Sequence, residues 1–384
     1  MFDYKYLSEK HLKGFKNYKY SAIDTSPLSK YVMHPAWNTA VKIFPKWVAP
    51  NLLTFLGFVC MLVNVILLMY YDYNLTASGG DPGAKPIPQC IFTICGVLLF
   101  LAYNLDGIDG KQARRLGVSG PLGEMFDHGI DSYIVFLIPF CLFSVYGRDE
   151  YSLSVFRGYL VVVSVVLNFY VSHWEKYNTG ILYLPWGYDL SMWVSSIMFL
   201  VAGLHGPQVY KTHILGMTFV QALEVAIHAT GLFTTLPIAV YNVILSYKNR
   251  TGKMYSLLDA LRPIWPILIM MGTMTSWAVT SQGIIERDLR AFLLLFGTLF
   301  SNIASRLIVA EMSEQKCDTI CWINVPLVFG VGAAKYLPQY ELGILYLLAV
   351  FAICAHIHYG VCVVRQMCDH FKVQCFKVPK EKIK

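Results

Sequence analysis

The chain has 384 residues, of which 56% are hydrophobic, 15% aromatic and only 14% charged. Soluble domains carry about 25% charged residues, so the composition excludes a soluble enzyme and indicates an integral membrane protein. The net charge of +7, from 31 Lys+Arg against 24 Asp+Glu, fits lysines bordering an anionic bilayer surface rather than a nucleic-acid partner.

Residues 1–50 are polar and lysine-bearing. They lack the short apolar core and small-residue cleavage site of a signal peptide, so the first span is expected to serve as signal anchor. Within them, "HPAWNTAVKIFPKWVAP" (34–50) mixes tryptophans with lysines as an interfacial amphipathic helix does. Apolar windows of roughly 17–25 residues then mark membrane spans. Ten are expected, at 51–70, 89–105, 132–147, 154–172, 190–204, 222–246, 263–280, 291–311, 321–334 and 341–362, the fifth and ninth being short. No fixed-period repeat or low-complexity tract interrupts them. The fold class is therefore an all-α polytopic membrane protein, with one transmembrane domain over 51–362, an N-terminal interfacial segment over 1–50 and a basic tail over 363–384.

With the N-terminus in the cytosol, that side carries 23 Lys and Arg and the other side 7, while Arg306 lies inside a span. This positive-inside bias places both termini in the cytosol. Asn74, in Asn-Leu-Thr, is then expected to be lumenal and open to glycosylation, and Asn249, in Asn-Arg-Thr, cytosolic and bare. The ten cysteines are scattered through apolar runs without a zinc spacing, as free thiols.

The chemistry concentrates in "LDGIDGKQARRLGVSGPLGEMFDHGIDS" (105–132), which holds four aspartates and one glutamate. Asp106 and Asp109 are three apart, with Gly110 and Ala113 continuing one helical stripe; after "LGVSGP", Gly123, Asp127 and Asp131 repeat the stripe at spacing four. A single such aspartate reads equally well as a helix N-cap or turn residue. Four of them on two facing stripes would repel one another unless cations bridged them. Hard oxygen ligands in an incomplete cage favour Mg2+ or Mn2+, completed by water and a substrate phosphate. The small residues let a bulky phosphate-bearing ligand approach the backbone.

The pattern Asp106-x2-Asp109-Gly110-x2-Ala113-Arg114-x8-Gly123-x3-Asp127-x3-Asp131 matches the signature of the CDP-alcohol phosphotransferase family without a departure. Beyond it, "YKYSAIDTSPLSKYVMHPAWN", "APNLLTFLGF", "SHWEKYNTGILYLPWGYDLS" and "AHIHYGVCVVRQM" resemble the eukaryotic ethanolaminephosphotransferase branch over nearly the whole chain. Vertebrate members of that branch carry a selenocysteine near the C-terminus; this chain ends in "FKVPKEKIK", like the shorter members.

The resemblance implies transfer of phosphoethanolamine from CDP-ethanolamine to 1,2-diacylglycerol or an ether-linked analogue, giving phosphatidylethanolamine and CMP. It implies two Mg2+ or Mn2+ ions held by Asp106, Asp109, Asp127 and Asp131. Either His128 or Asp131 is the general base. His128 is favoured because a carboxylate engaged with a cation loses basicity, whereas imidazole is matched to neutral pH. Asn51 is a helix N-cap or a cytidine contact, and Glu124 a solvated acid or a contact to the donor's cytidine or amine. Gly110, Ala113 and Gly123 are expected to line the nucleotide by being small, and Arg114 to meet phosphate, with Lys111 and Arg115 at lipid headgroups. A homodimer in the endoplasmic reticulum or Golgi membrane is implied as well.

Glu224, His228 and Arg306 lie inside apolar runs, where a charge needs a partner or a function; structural pairing and an acceptor-lipid cavity both remain open for them. His356 and His358 alternate with apolar residues, as packing or metal groups. Two rival functions are a choline or dual-specificity phosphotransferase, and a polytopic transporter using the buried polar residues as an ion path.

Overall fold

The structure is a computed structural model that describes residues 3–24, 26–79, 83–184 and 187–383. Pro185 and Trp186, inside the "YLPWGYD" stretch, lie outside the described residues. The chain opens with α1 (Glu9–Asn17), capped by Ser8, then a wide helical turn at Ser29–Met33 leading into α2 (His34–Ala40). The bundle follows: α3 (Pro50–Tyr71), α4 (Gln89–Leu116), α5 (Pro121–Tyr146), α6 (Val155–Thr179), α7 (Gly187–His205), α8 (Phe219–Thr230) and α9 (Leu236–Lys248). The short α10 (Leu257–Leu261) leads into α11 (Ile264–Thr280), and the short α12 (Ile284–Arg287) into α13 (Leu289–Met312); α14 (Asn324–Tyr336), α15 (Glu341–Phe371) and the terminal α16 (Lys380–Ile383) complete the order. Among the described residues, strands are confined to two pairs, parallel β1 (Ala22–Asp24) with β2 (Leu182–Leu184), and antiparallel β3 (His213–Ile214) with β4 (Met217–Thr218).

Nine helices among the described residues are long and apolar enough to cross a membrane, one of them the joined α8–α9 span Phe219–Lys248. The difference from the ten expected lies at 321–334, where α14 has only 13 residues. At 1.5 Å per residue it is about 20 Å long, against a hydrocarbon layer of about 30 Å. It nevertheless carries the chain from one end of the bundle to the other. Near its start, Asn324 donates to the Pro266 carbonyl at 2.8 Å, near the beginning of α11; beyond its end, Glu341 accepts from Trp277, near the end of α11, at 2.9 Å.

α4 runs on past the span expected to end at 105 as far as Leu116, so the stripe of Asp106, Asp109, Gly110 and Ala113 lies on the same helix until Gly117 stops it with a φ of +61°. A further difference concerns a helix end. The interfacial helix expected over 34–50 ends at Ala40, and turns follow at residues 41–43. Arg115, itself exposed, donates to the carbonyls of Val41 and Phe44 at 2.7 and 2.8 Å and so caps this segment.

α13 is the central post, buried along most of its length. Its Phe292 and Phe296 meet Tyr159 of α6 edge-on, at 5.6 and 5.3 Å between ring centroids. Gly297 lets the Phe136 ring of α5 lie on its backbone, where a Cβ would come within 2.3 Å. Both ends of the chain gather at the end of the bundle where α4 stops and α5 begins. The backbone amides of Tyr6 and Leu7 donate to Gln366 at 2.8 and 3.0 Å, and Phe15 packs with Leu122, Met312 and Met367. Gly107 of α4 admits the buried Trp37 of α2 so closely that a Cβ would lie 2.3 Å from the indole. Gly107→Ala is expected to cost about 1–3 kcal/mol by overpacking, measured as unfolding in detergent; an unchanged midpoint would mean that Trp37 moves aside freely.

Candidate active site

α4 ends and α5 begins on either side of a short loop, so the two run antiparallel with their aspartates facing. Asp106, Asp109 and Asp127 each offer a carboxylate oxygen within 4.8 Å of the others, and Asp127, His128 and Asp131 offer ligand atoms within the same limit. Asp109 is buried and accepts a hydrogen bond from Thr54 of α3, while Asp106 accepts from Tyr188 of α7 at 2.9 Å. Asp127 Oδ1 is buried with no hydrogen-bond partner. Two carboxylates 4.8 Å apart repel by about 3 kcal/mol at an effective dielectric of about 20. The two donors to Asp106 and Asp109 offset only part of that repulsion. An all-oxygen donor set with an orphaned buried oxygen fits a divalent cation.

His128 is buried beside this cluster. Its Nδ1 lies 3.6 Å from Asp131 and its Nε2 3.8 Å from Glu124, beyond hydrogen-bond length in both cases, and Nε2 has no hydrogen-bond partner. Its ring meets His173 of α6 edge-on at 5.3 Å. Behind it runs a compensated set of charges. Lys176 of α6 reaches Glu124 at 2.8 Å and Glu311 of α13 at 3.0 Å, and Glu311 also lies 3.3 Å from His173. Tyr18 donates to Glu124. Burial, reinforced by the Glu124 carboxylate, raises the Tyr18 hydroxyl well above an ordinary phenol against the pull of Lys176, so it stays a donor. Glu124 is thus engaged by Lys176 and Tyr18. The N-terminal segment is held over this spot by the pairing of β1 with β2, Ala22 opposite Leu182.

Asn51, Gly123 and the tail form the rim. Asn51, in the first turn of α3, faces Gly123 of α5, where a Cβ would stand 3.4 Å from its Oδ1; its Nδ2 points at the Cys375 sulfur, 3.4 Å away. Burial pushes the Cys375 thiol up to about 11, so it sits there neutral. Phe376 follows, 5.6 Å from the rings of both Phe55 and Phe126, and Val378 packs with Ala49 and Leu116. Arg114 is exposed and its guanidinium folds back over Gly110, while Ala113 is half-buried one turn beyond Gly110. Sequence spacing thus brought together the aspartates, His128 and Gly110, with Asn51 and Gly123 at the edge. It missed Thr54, Tyr188, His173, Lys176 and Glu311. The signal for His173 and Lys176 was the charged "HWEK" at the end of an apolar run; Glu311 showed the same at the end of α13.

The other intramembrane polar residues lie apart from the aspartates. Arg157 forms a double hydrogen bond with Glu224, and His228 sits 2.7 Å from Ser164. His356 stacks on Tyr133 and His358 accepts or donates at the Tyr6 hydroxyl, so the two imidazoles do not converge.

A helical membrane bundle with carboxylates from two antiparallel helices crowded at one end fits a class of membrane enzyme whose acidic groups could hold divalent cations. The chain belongs to the CDP-alcohol phosphatidyltransferase family, whose model matches residues 47–236. It is 43% identical to human "Ethanolaminephosphotransferase 1" over 387 residues, 99% of this chain and 96% of that protein, and 42% identical to the mouse protein of the same name with the same coverage. It is 26% identical to "Choline/ethanolaminephosphotransferase 1" of Arabidopsis thaliana, over 98% of this chain and 99% of that one.

Removing the Lys176 ammonium leaves Glu124 and Glu311 buried without their cation. Lys176→Met is expected to destabilise the protein by about 3–5 kcal/mol, with Lys176→Arg recovering most of it. Thermal unfolding in detergent reads the effect, and equal midpoints for Met and Lys would contradict the pairing.

Proposed function

We propose that the protein transfers phosphoethanolamine from CDP-ethanolamine to 1,2-diacylglycerol or an ether-linked analogue, giving phosphatidylethanolamine and CMP. What supports this most is the meeting of two observations: four aspartates on the facing ends of α4 and α5, and 43% identity along almost the whole chain to a protein named ethanolaminephosphotransferase. Asp106, Asp109, Asp127 and Asp131 would hold two divalent cations, Mg2+ or Mn2+. When bound, these would neutralise the donor diphosphate and the departing CMP.

The chain's own residues do the rest. His128 takes the proton of the diacylglycerol hydroxyl, and the Asp131 carboxylate, 3.6 Å from Nδ1, favours the imidazolium that forms. Arg114, folded over Gly110, is placed for donor phosphate, and Asn51 with Gly123 for the nucleotide. Gly110 and Ala113 leave room for the diphosphate. Glu124, tied to Lys176, keeps the wall behind His128 charged and rigid. The lipid acceptor arrives from the bilayer and the nucleotide donor from the water at the same end of the bundle. The excess of Lys and Arg at that end supports a cytosolic site with both termini cytosolic, in the endoplasmic reticulum or Golgi membrane, with the protein as a homodimer.

Purified protein given diacylglycerol with CDP-ethanolamine or CDP-choline in parallel is expected to release CMP faster from the ethanolamine donor. The reverse order would make it a choline enzyme, and no CMP from either would leave transport. Chelation of divalent cations is expected to stop CMP release, with Mg2+ or Mn2+ restoring it. His128→Ala should lower turnover by about 10²–10⁴-fold, the usual worth of a general base, while donor binding by calorimetry is retained; near-normal turnover would pass the role to Asp131.

A further inference from the structure

Arg306 of α13 is a guanidinium inside a membrane-spanning helix, six residues before its end at Met312 and so about 9 Å from it. It has no carboxylate partner among the described residues. Its Nε donates to Asn302 Oδ1 at 3.1 Å, and its Nη2 is buried with no hydrogen-bond partner. One turn earlier on the same helix, Asn302 Nδ2 is buried and unpartnered as well, and so is His356 Nδ1 on the neighbouring α15. Three aromatic rings surround the charge: Tyr359 at 4.4 Å, Tyr6 at 5.8 Å and Trp322 at 6.0 Å from the guanidinium carbon. Ring faces stabilise a cation but accept its N–H groups only weakly, and an unmade bond on a buried charged donor costs about 1–3 kcal/mol or more.

This group does not belong to the aspartate cluster. Arg306 and Glu311 are five residues apart, about 140° around the helix: Glu311 faces His173 and Lys176 of α6, whereas Arg306 faces Tyr359 of α15 and the N-terminal segment. The seam it looks into has an open apolar flank. Trp322 packs edge-on against Phe351 of α15, and Val325 and Phe329 of α14 and Phe351 itself are exposed to the bilayer side. An unpartnered guanidinium nitrogen and an unpartnered amide nitrogen on side chains that touch each other, a third unpartnered polar group on α15, and an apolar track leading away match a phosphate ester carrying acyl chains. The planar guanidinium suits a phosphate in particular, and a basic pocket between membrane helices is a place where lipid headgroups bind.

We infer that Arg306 and Asn302 hold the phosphate of a membrane glycerophospholipid in the seam between α13, α14 and α15, with its chains along Trp322, Val325 and Phe351. This lipid site is independent of the reaction proposed above. It is occupied by a phospholipid as a resident group, in a place the aspartates do not reach.

The test uses the full-length protein, washed free of lipid in nonionic detergent and titrated with dioleoylphosphatidylglycerol, alone and with dioleoylglycerol saturating the acceptor site proposed above, with inorganic phosphate, and with dioleoylglycerol alone as the control for that acceptor site. Native mass spectrometry counts retained lipid and thermal unfolding reads the response. One phosphatidylglycerol per chain is expected, with a raised midpoint, and inorganic phosphate alone giving no rise. Arg306→Met is expected to weaken retention by about 10- to 100-fold, the worth of a charged hydrogen bond, with Arg306→Lys in between and the dioleoylglycerol response unchanged. Should Arg306→Met not fold, Asn302→Leu tests the same pocket through its second donor, and the comparison of phosphatidylglycerol with dioleoylglycerol on the unmodified protein needs no variant. Retention unchanged in both variants, no retained phospholipid in the unmodified protein, or an equal midpoint rise from inorganic phosphate alone would each overturn the lipid site.

Discussion

Carboxylate crowding at the facing ends of α4 and α5 is the constraint around which the rest of the molecule is arranged. Asp106, Asp109 and Asp127 cannot all sit within 4.8 Å as bare anions without opposing each other strongly. The surrounding helices supply what neutral groups can: the Thr54 hydroxyl from α3 on Asp109, the Tyr188 hydroxyl from α7 on Asp106. None of the cationic side chains of α6 is spent on these three aspartates. Lys176, which could have reached toward the cluster, is committed to Glu124 and Glu311.

The result is a division of labour between two acidic groups a turn or two apart. One is charge-compensated from within the protein and buried, with Glu124, Lys176, Glu311 and His173 forming a closed set. The other is left short of positive charge at the rim, where a cation and a phosphate can complete it. His128 stands on the boundary, between Glu124 of the first set and Asp131 of the second. An imidazole in that position feels both, and the compensated side gives it a fixed wall to pack on.

Much of this was legible in the sequence because helices report themselves by period. Asp106 with Asp109, and Asp127 with Asp131, fall on one face by spacing alone, and Gly117 with Pro121 shows where one helix stops and the next begins. The membrane spans were legible because hydropathy finds apolar runs, the short one at 321–334 included; what the run did not show is that its helix, α14, has only 13 residues. Lys176 and Glu311 were illegible as a pair, since they lie 135 positions apart in the chain and only packing of α6 on α13 joins them. The bonds from Arg115 to the turns that follow α2 were not legible, since they join segments more than 70 positions apart in the chain. Gly107 carried no chemistry that sequence could flag, yet the indole of Trp37 rests on it.

The shortness of α14 has a mechanical meaning for the surrounding lipid. A crossing about 20 Å long beside helices such as α15, with 31 residues, presents the bilayer with a step in height. Lipids next to α14 must shorten or tilt to meet it, a local strain of a fraction of a kcal/mol per ångström of mismatch. That strain falls on one side of the molecule only, beside Trp322 and Phe329, so thickness of the host membrane is felt there before anywhere else on the protein. Membranes of short or unsaturated chains relieve it, and thick, ordered ones sharpen it.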